Sequence, residues 1–415
     1  MELLSNLESV RHQLTAILTT IRQLEKSEFP YSDPRIGLAA IRKQFDLAQD
    51  ALALVDSSTD QATADSICKT TYDLISDSLE ILGLLLRSTN VRNSFECHGP
   101  LLRLAKSVLG PDTHLVVSSE WSFSPYTLIG YMQLPGFVLI GLPATESENP
   151  LLLPLAGHEL GHSMWQQKSI EAQIRPGVYL SVLQDIEQHW SDYIDVFPGI
   201  EKEDLESDMF ARQTWLPSLM WAMRQCEEVF CDAVGIKIFG PAYLQAFAYL
   251  LAPGRGGSRS SCYPNIKERG SLLNEIAIRL GLPNNPLYSA RFSSDVEPTQ
   301  TTDKRISLLL RIADEARRKV FDDVIAAAFV SVDKSGYPGW NDGVVEMCIE
   351  RFRLTVPCEN SVTLANIVIA AWRAMIQSPF FVNDAFERDK KAIISELALK
   401  SIEVLEIETR IKVES

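Results

Sequence analysis

The chain has 415 residues, a formal net charge of −15 and a pI near 5.0. With 46% hydrophobic and 22% charged residues it has the make-up of a globular protein able to bury a sizeable core, and its length suits about two or three domains. The acidic balance argues against nucleic acid or an anionic membrane surface as partner, since both select basic faces, and no apolar run reaches the roughly 18 residues of a membrane span.

The opening MELLSNLESVRHQL is amphipathic and carries acids where a secretory signal has a basic start and an apolar block, so no such signal is expected. Leu7, Val10, Leu14, Ile17, Ile21 and Leu24 step by three and four, which predicts a first helix with one apolar seam. Two prolines in EFPYSDPR (28–35) break it. Ile41, Phe45, Ala48, Leu52 and Val55 repeat the stepping, DSSTDQ turns the chain, and Ile75, Leu79, Leu82 and Leu86 mark a third helix. The seams predict an antiparallel helical bundle filling an N-terminal domain over 1–110, with docking or self-association as its expected use.

The texture then changes. HLVVSSEW (114–121), YTLIGYMQL (126–134) and GFVLIGL (136–142) are short β-branched or aromatic runs separated by Ser-Pro and Pro-Gly, which predicts a small three-stranded meander. Beyond ATESENP and LLLPLAGHELGHSMW the chain reads as helical at 178–195, 207–238 and 241–251. PGRGGSRSSC (253–262) reads as a flexible, locally basic loop able to cover a neighbouring cleft, and helices resume at 266–280 and from 303 to the end. The predicted fold class is α+β, predominantly helical: the N-terminal bundle, a core over 111–290 with a small sheet beside the helix of 158–162, and a helical C-terminal region over 291–415. Cysteines at 68, 97, 226, 231, 262, 348 and 358 show no paired spacing and are expected to be reduced thiols in a cytoplasm.

The chain has six histidines, and two of them stand at i and i+4 in His158-Glu159-Leu160-Gly161-His162. On a helix this H-E-x-x-H spacing aims both imidazoles at one spot. The flanking Leu155, Ala156, Gly157, Leu160, Gly161, Ser163 and Met164 are uncharged, so the helix is suited to burial. Buried imidazoles and a carboxylate are costly without a partner, and Zn2+ removes that cost by taking the neutral nitrogens as ligands. A catalytic zinc has three protein ligands and one open position. SMWQQK supplies no third histidine, so the third ligand comes from elsewhere. The best candidate is RQCEEVFCDAVG (224–235), where Glu228 can bind the metal and Asp232, one turn on, can accept from a zinc-bound histidine's outer nitrogen. Glu227 is the nearest rival, with Glu187, His189 and Asp192 open as others.

H-E-x-x-H followed by a helical E-x-x-x-D resembles the gluzincin group of zinc metallopeptidases, over about residues 112–290. The resemblance implies a zincin-like core, His158, His162 and Glu228 as zinc ligands, Glu159 as general base, Asp232 behind the ligands, and a peptide or protein substrate paired along an edge strand, for which GFVLIGL is placed. In thermolysin-like enzymes a downstream histidine helps stabilise the oxyanion. The last histidine here is His189, so Tyr243, Tyr263 or Arg269 is expected to donate instead. Two other expectations stand beside this one: a zinc-stabilised interaction protein without turnover, and a zinc hydrolase of a non-peptide amide.

Overall fold

A computed structural model describes residues 5–90, 94–121, 125–128, 134–146, 149–254, 257–298, 303–359 and 362–414. Residues 129–133 of the expected second strand, Arg255 and Gly256 of the expected loop, and the Cys97 side chain lie outside the described part. The chain is mostly helical with one small sheet, and it divides into two compact units: Met1–Lys106 with Gly110–Glu148, and Ser107–Leu109 with Asn149–Ser415. Among the described residues no helix is long and apolar enough to cross a membrane.

The first unit holds α1 (Asn6–Leu24), α2 (Asp33–Ala53), α3 (Gln61–Arg87), most of α4 (Ser94–Leu109) and the strands β1 (His114–Glu120), β2 (Tyr126–Leu128) and β3 (Phe137–Pro143). Ser5 caps α1 through a reciprocal pair with Glu8, and Asp60 caps α3 through the Thr63 amide. The α1 seam is buried from Val10 to Leu24. In α3 the core face is turned from the expected one: Leu79 and Leu86 face solvent, while Ile81, Leu84 and Leu85 join the core with Leu82. α4 runs through Gly99 and carries Pro100 within it.

The sheet order is β1-β3-β2, with β3 parallel to β1 and antiparallel to β2. Two expectations are corrected here. The strands do not form a meander, because β3 crosses over to lie between the other two. GFVLIGL is a central strand, with its backbone groups engaged on both sides around Leu139–Gly141, so it offers no free edge to a peptide there. Its near-continuous burial from Val138 to Ile140 accords with a strand covered on both faces.

The second unit begins with a 3-10 segment, Pro150–Leu155, that leads into α5 (Ala156–Gln167). α6 (Ile170–Gln188) and α7 (Trp190–Val196) replace the single helix expected over 178–195, and the break falls at His189, whose backbone leaves the helical region. Then come α8 (Met209–Phe239), α9 (Pro241–Leu251), α10 (Ile266–Arg279), α11 (Lys304–Lys319), α12 (Phe321–Lys334), α13 (Asp342–Arg353), α14 (Leu364–Ile376), α15 (Asp384–Arg388) and α16 (Lys390–Glu414). α8 is the axis of this unit: Asp208 caps its start, and from Gln225 to Ile236 every residue is buried. The segment after Gly257 is tied down, since the buried Arg259 side chain reaches Asp314 with both nitrogens (2.5 and 2.7 Å) and also Glu297.

Candidate metal centre

Small residues bring α5 and α8 together. A Cβ on Gly161 would stand 2.7 Å from the Cys231 Cα, and one on Gly157 would stand 3.1 Å from the Gly235 Cα. Residues with side chains cannot approach backbone that closely, so these glycines set the spacing of the pair. One turn forward on α5 matches one turn back on α8: the helices are antiparallel, with Gly157 near Gly235 and Gly161 near Cys231. The same register places His158 beside Asp232 and His162 beside Glu227 and Glu228.

The two imidazoles stand edge to face, with centroids 4.9 Å apart. Each has its Nδ1 on a carboxylate of α8: His158 on Asp232 at 3.0 Å, His162 on Glu227 at 2.9 Å. A carboxylate only accepts, so both Nδ1 atoms donate and fix the orientation of the rings. The opposite nitrogens face Glu228, with His158 Nε2 3.4 Å from Oε2 and His162 Nε2 3.7 Å from Oε1. Glu228 Oε2 is also 3.1 Å from Arg269 Nη2. Neither neighbour approaches with hydrogen-bond geometry, and Oε2 is buried with no donor. An ionised oxygen left in this way is a strong acceptor aimed at the space the imidazoles share.

The charge balance points the same way. Glu159, Glu227, Glu228 and Asp232 are all buried, with Arg269 as the buried guanidinium among them. Burial alone would hold His158 neutral, but its hydrogen bond to Asp232 and the nearby Glu228 carboxylate outweigh burial and push its pKa up to about 10. The ring therefore serves as a cation between acids, a place that a metal ion can take on release of the proton. Burial raises the Glu159 carboxyl, opposed by the charges of His158 and His162. Burial would also raise Asp232, yet Arg269 and His158 hold it far below the ordinary carboxylate range.

His158, His162 and Cys231 offer ligand atoms that all lie within 4.8 Å of one another, so this cluster could hold a metal ion. Burial, followed by the charges of Glu228 and Glu227, pushes the Cys231 thiol well above its ordinary pKa. Glu228, which faces both Nε2 atoms, offers a carboxylate on the same side.

The other expected residues separate into layers. Tyr243 is fully buried, and its hydroxyl donates to Asp232 at 2.6 Å. Arg269 donates to both Asp232 oxygens, Nε at 2.7 Å and Nη2 at 2.8 Å. Both make these bonds behind the histidines. Tyr263 is 45% exposed, and its ring lies 5.7 Å from the Arg269 guanidinium. The Glu228 charge, then burial, pushes its hydroxyl up to about 12, so it is a protonated donor beside the acids. Glu187 and Asp192 are exposed on α6 and α7, and His189 is engaged with Asp185 and Arg311. Sequence reasoning missed Cys231 and the part Glu227 plays as the partner of His162. The sequence carried only a partial signal: Glu227 and Cys231 are i,i+4 just as Glu228 and Asp232 are, which puts them on one side of the helix without saying what they meet.

No protein-family model matches the chain, and no curated protein or solved structure matches it either.

Proposed function

We propose that this chain is a zinc-dependent metallopeptidase with a gluzincin-type site, acting on peptide or protein substrates. The observation that carries the proposal is the buried, donorless Glu228 Oε2 facing two histidines whose outer nitrogens are already held. Three such groups on two rigid helices suit zinc, which takes imidazole nitrogen and carboxylate oxygen and keeps one position open. When bound, zinc would supply a Lewis acid and a water whose pKa falls towards about 7.

The chain's own residues supply the rest. Glu159 is one residue from His158, buried and 5% exposed, so its carboxylate can take a proton from the attacking water and return it to the leaving amine. Its raised pKa brings it nearer to neutral pH, where a base both accepts and releases a proton readily. Tyr263 is the group with a hydroxyl to offer the oxyanion, because the Tyr243 hydroxyl already donates to Asp232 and Arg269 holds the same carboxylate through two nitrogens. Those two are positioning residues. The described cysteines are free thiols, in keeping with a reducing, cytoplasmic setting.

Glu159→Gln tests the assignment. The variant is expected to keep bound zinc, measured by elemental analysis, while casein hydrolysis falls by about a hundredfold or more. Hydrolysis at the wild-type rate would overturn the role given to Glu159. His158→Ala is expected to lose the metal, and full zinc content in that variant would remove the ligand claim.

A further inference from the structure

The face of α8 that carries the metal donors continues, partly open to solvent, towards the start of the helix. Counting back from Glu228, the positions Arg224, Trp221, Met220, Pro217 and Leu216 lie on or beside the same side. From Glu227 onward that side is buried, with α5 against it at Cys231 and Gly235. Before Arg224 it opens to solvent along one edge, where Met220 is 59% exposed and Leu216 42%, while Trp221 and Pro217 are half-buried. Arg224 stands at the boundary. Its Nη1 donates to Glu227 Oε2 at 2.9 Å, and the other oxygen of Glu227 holds His162. The Arg224 side chain as a whole is 65% exposed. An exposed guanidinium is thus one residue removed from a metal-facing imidazole, at the end of an apolar stripe, on a protein of net charge −15.

We propose that this stripe is a substrate subsite: Arg224 pairs with a carboxylate of the peptide, and adjoining apolar side chains lie on Met220 and Leu216. The inference rests on the metallopeptidase proposal above and adds a selection for a carboxylate close to the cleaved bond. The chemistry fits the parts. A guanidinium fork takes a carboxylate through two parallel hydrogen bonds, whereas an acidic protein surface otherwise repels one. Glu227 anchors one nitrogen of the fork and so orients the exposed edge. The carboxylate can be the chain terminus or an acidic side chain, and both present the same group.

Binding distinguishes these sources, with the full-length Glu159→Gln chain loaded with zinc so that turnover does not intrude. Three labelled octapeptides of alternating alanine and leucine serve as probes in fluorescence anisotropy: one with a free C-terminus, one amidated, and one amidated with glutamate next to its end. At least one carboxylate-bearing peptide is expected to bind about tenfold tighter than the plain amide. Whichever is tighter names the source, and either supports the subsite. Adding Arg224→Gln is expected to bring the ratio close to one. Equal affinity for all three peptides in the parent overturns the proposal. So does an Arg224→Gln variant that weakens all three alike while losing zinc, because Arg224 would then act only through Glu227 and His162. The activity claim fails separately: a wild-type enzyme that binds the carboxylate peptide through Arg224 and cleaves no peptide keeps the subsite and loses the peptidase.

Discussion

Asp232 receives four hydrogen bonds on its two oxygens, one each from His158 and Tyr243 and two from Arg269, while Glu228 next to it on the helix face has an oxygen with none. That contrast assigns different work to two acids one turn apart. Asp232 is saturated and holds an imidazole in place; Glu228 is unsaturated and available to a metal. Asp232→Asn keeps the shape but removes the charge and one acceptor oxygen from the clamp, so zinc affinity is expected to drop by about 10- to 100-fold, read by competition with a chromogenic chelator. Unchanged affinity would mean that the ring's orientation does not depend on Asp232. The third ligand is decided by a pair of variants. Glu228→Gln is expected to lose most bound zinc and Cys231→Ser to retain it, in elemental analysis of dialysed protein. The reverse pattern would make the thiolate the ligand and Glu228 its neighbour.

At the scale of elements, the site is a property of the α5–α8 pair rather than of either helix. The glycines of AGHELGH are as necessary as its histidines, because Gly161 meets the Cys231 backbone where no Cβ fits. Gly161→Ala is expected to push the helices apart, at a cost of about 1–3 kcal/mol in thermal or chemical unfolding, and to weaken zinc binding with it. A variant with wild-type stability and zinc content would show that the pair tolerates the separation. This also explains what could be read in advance. His158 with His162, and Glu228 with Asp232, are pairs within one helix, where i,i+4 spacing alone fixes a shared face. The His162–Glu227 bond and the approach of Cys231 depend on the register between helices 65 and more residues apart, which periodicity does not encode. The sheet order has the same origin: apolar runs mark β1 and β3 as strands, but only their parallel pairing makes β3 central. In α3 the leucines are so dense, from Ile81 to Leu86, that two seams fit the pattern, and packing chose the one that leaves Leu79 and Leu86 outside.

At the scale of the molecule, the two units answer to different chemical variables. The candidate metal centre lies wholly in the second, so zinc is expected to stabilise that unit through mass action, by about 2.7 kcal/mol at a hundred times the dissociation constant. Hydrogen exchange should then slow in peptides from α5 and α8 on adding zinc; protection spread evenly over both units would contradict a local site. The first unit is sensitive to acid instead. Asp33, at the start of α2, accepts from the Leu115 amide at 3.1 Å and lies 3.0 Å from His114 Nδ1 and 3.4 Å from His98 Nε2, so one carboxylate ties α2 and α4 to β1. Burial would raise its pKa, but the hydrogen bonds to His98, His114 and Leu115 outweigh burial and lower it from 3.8 to about 2. A carboxyl depressed on folding adds stability that is complete above its unfolded pKa and is lost as the pH falls through the folded one. The contribution of Asp33 is therefore expected to be constant above about pH 4 and to vanish between there and about pH 2. Asp33→Asn has no such charge to protonate and should be less stable than wild type by about 2 kcal/mol at neutral pH. Denaturant unfolding of both proteins across that window gives the comparison: the gap is expected to narrow as acid is added, and a gap that stays constant down to pH 2 would mean that Asp33 contributes through shape rather than charge.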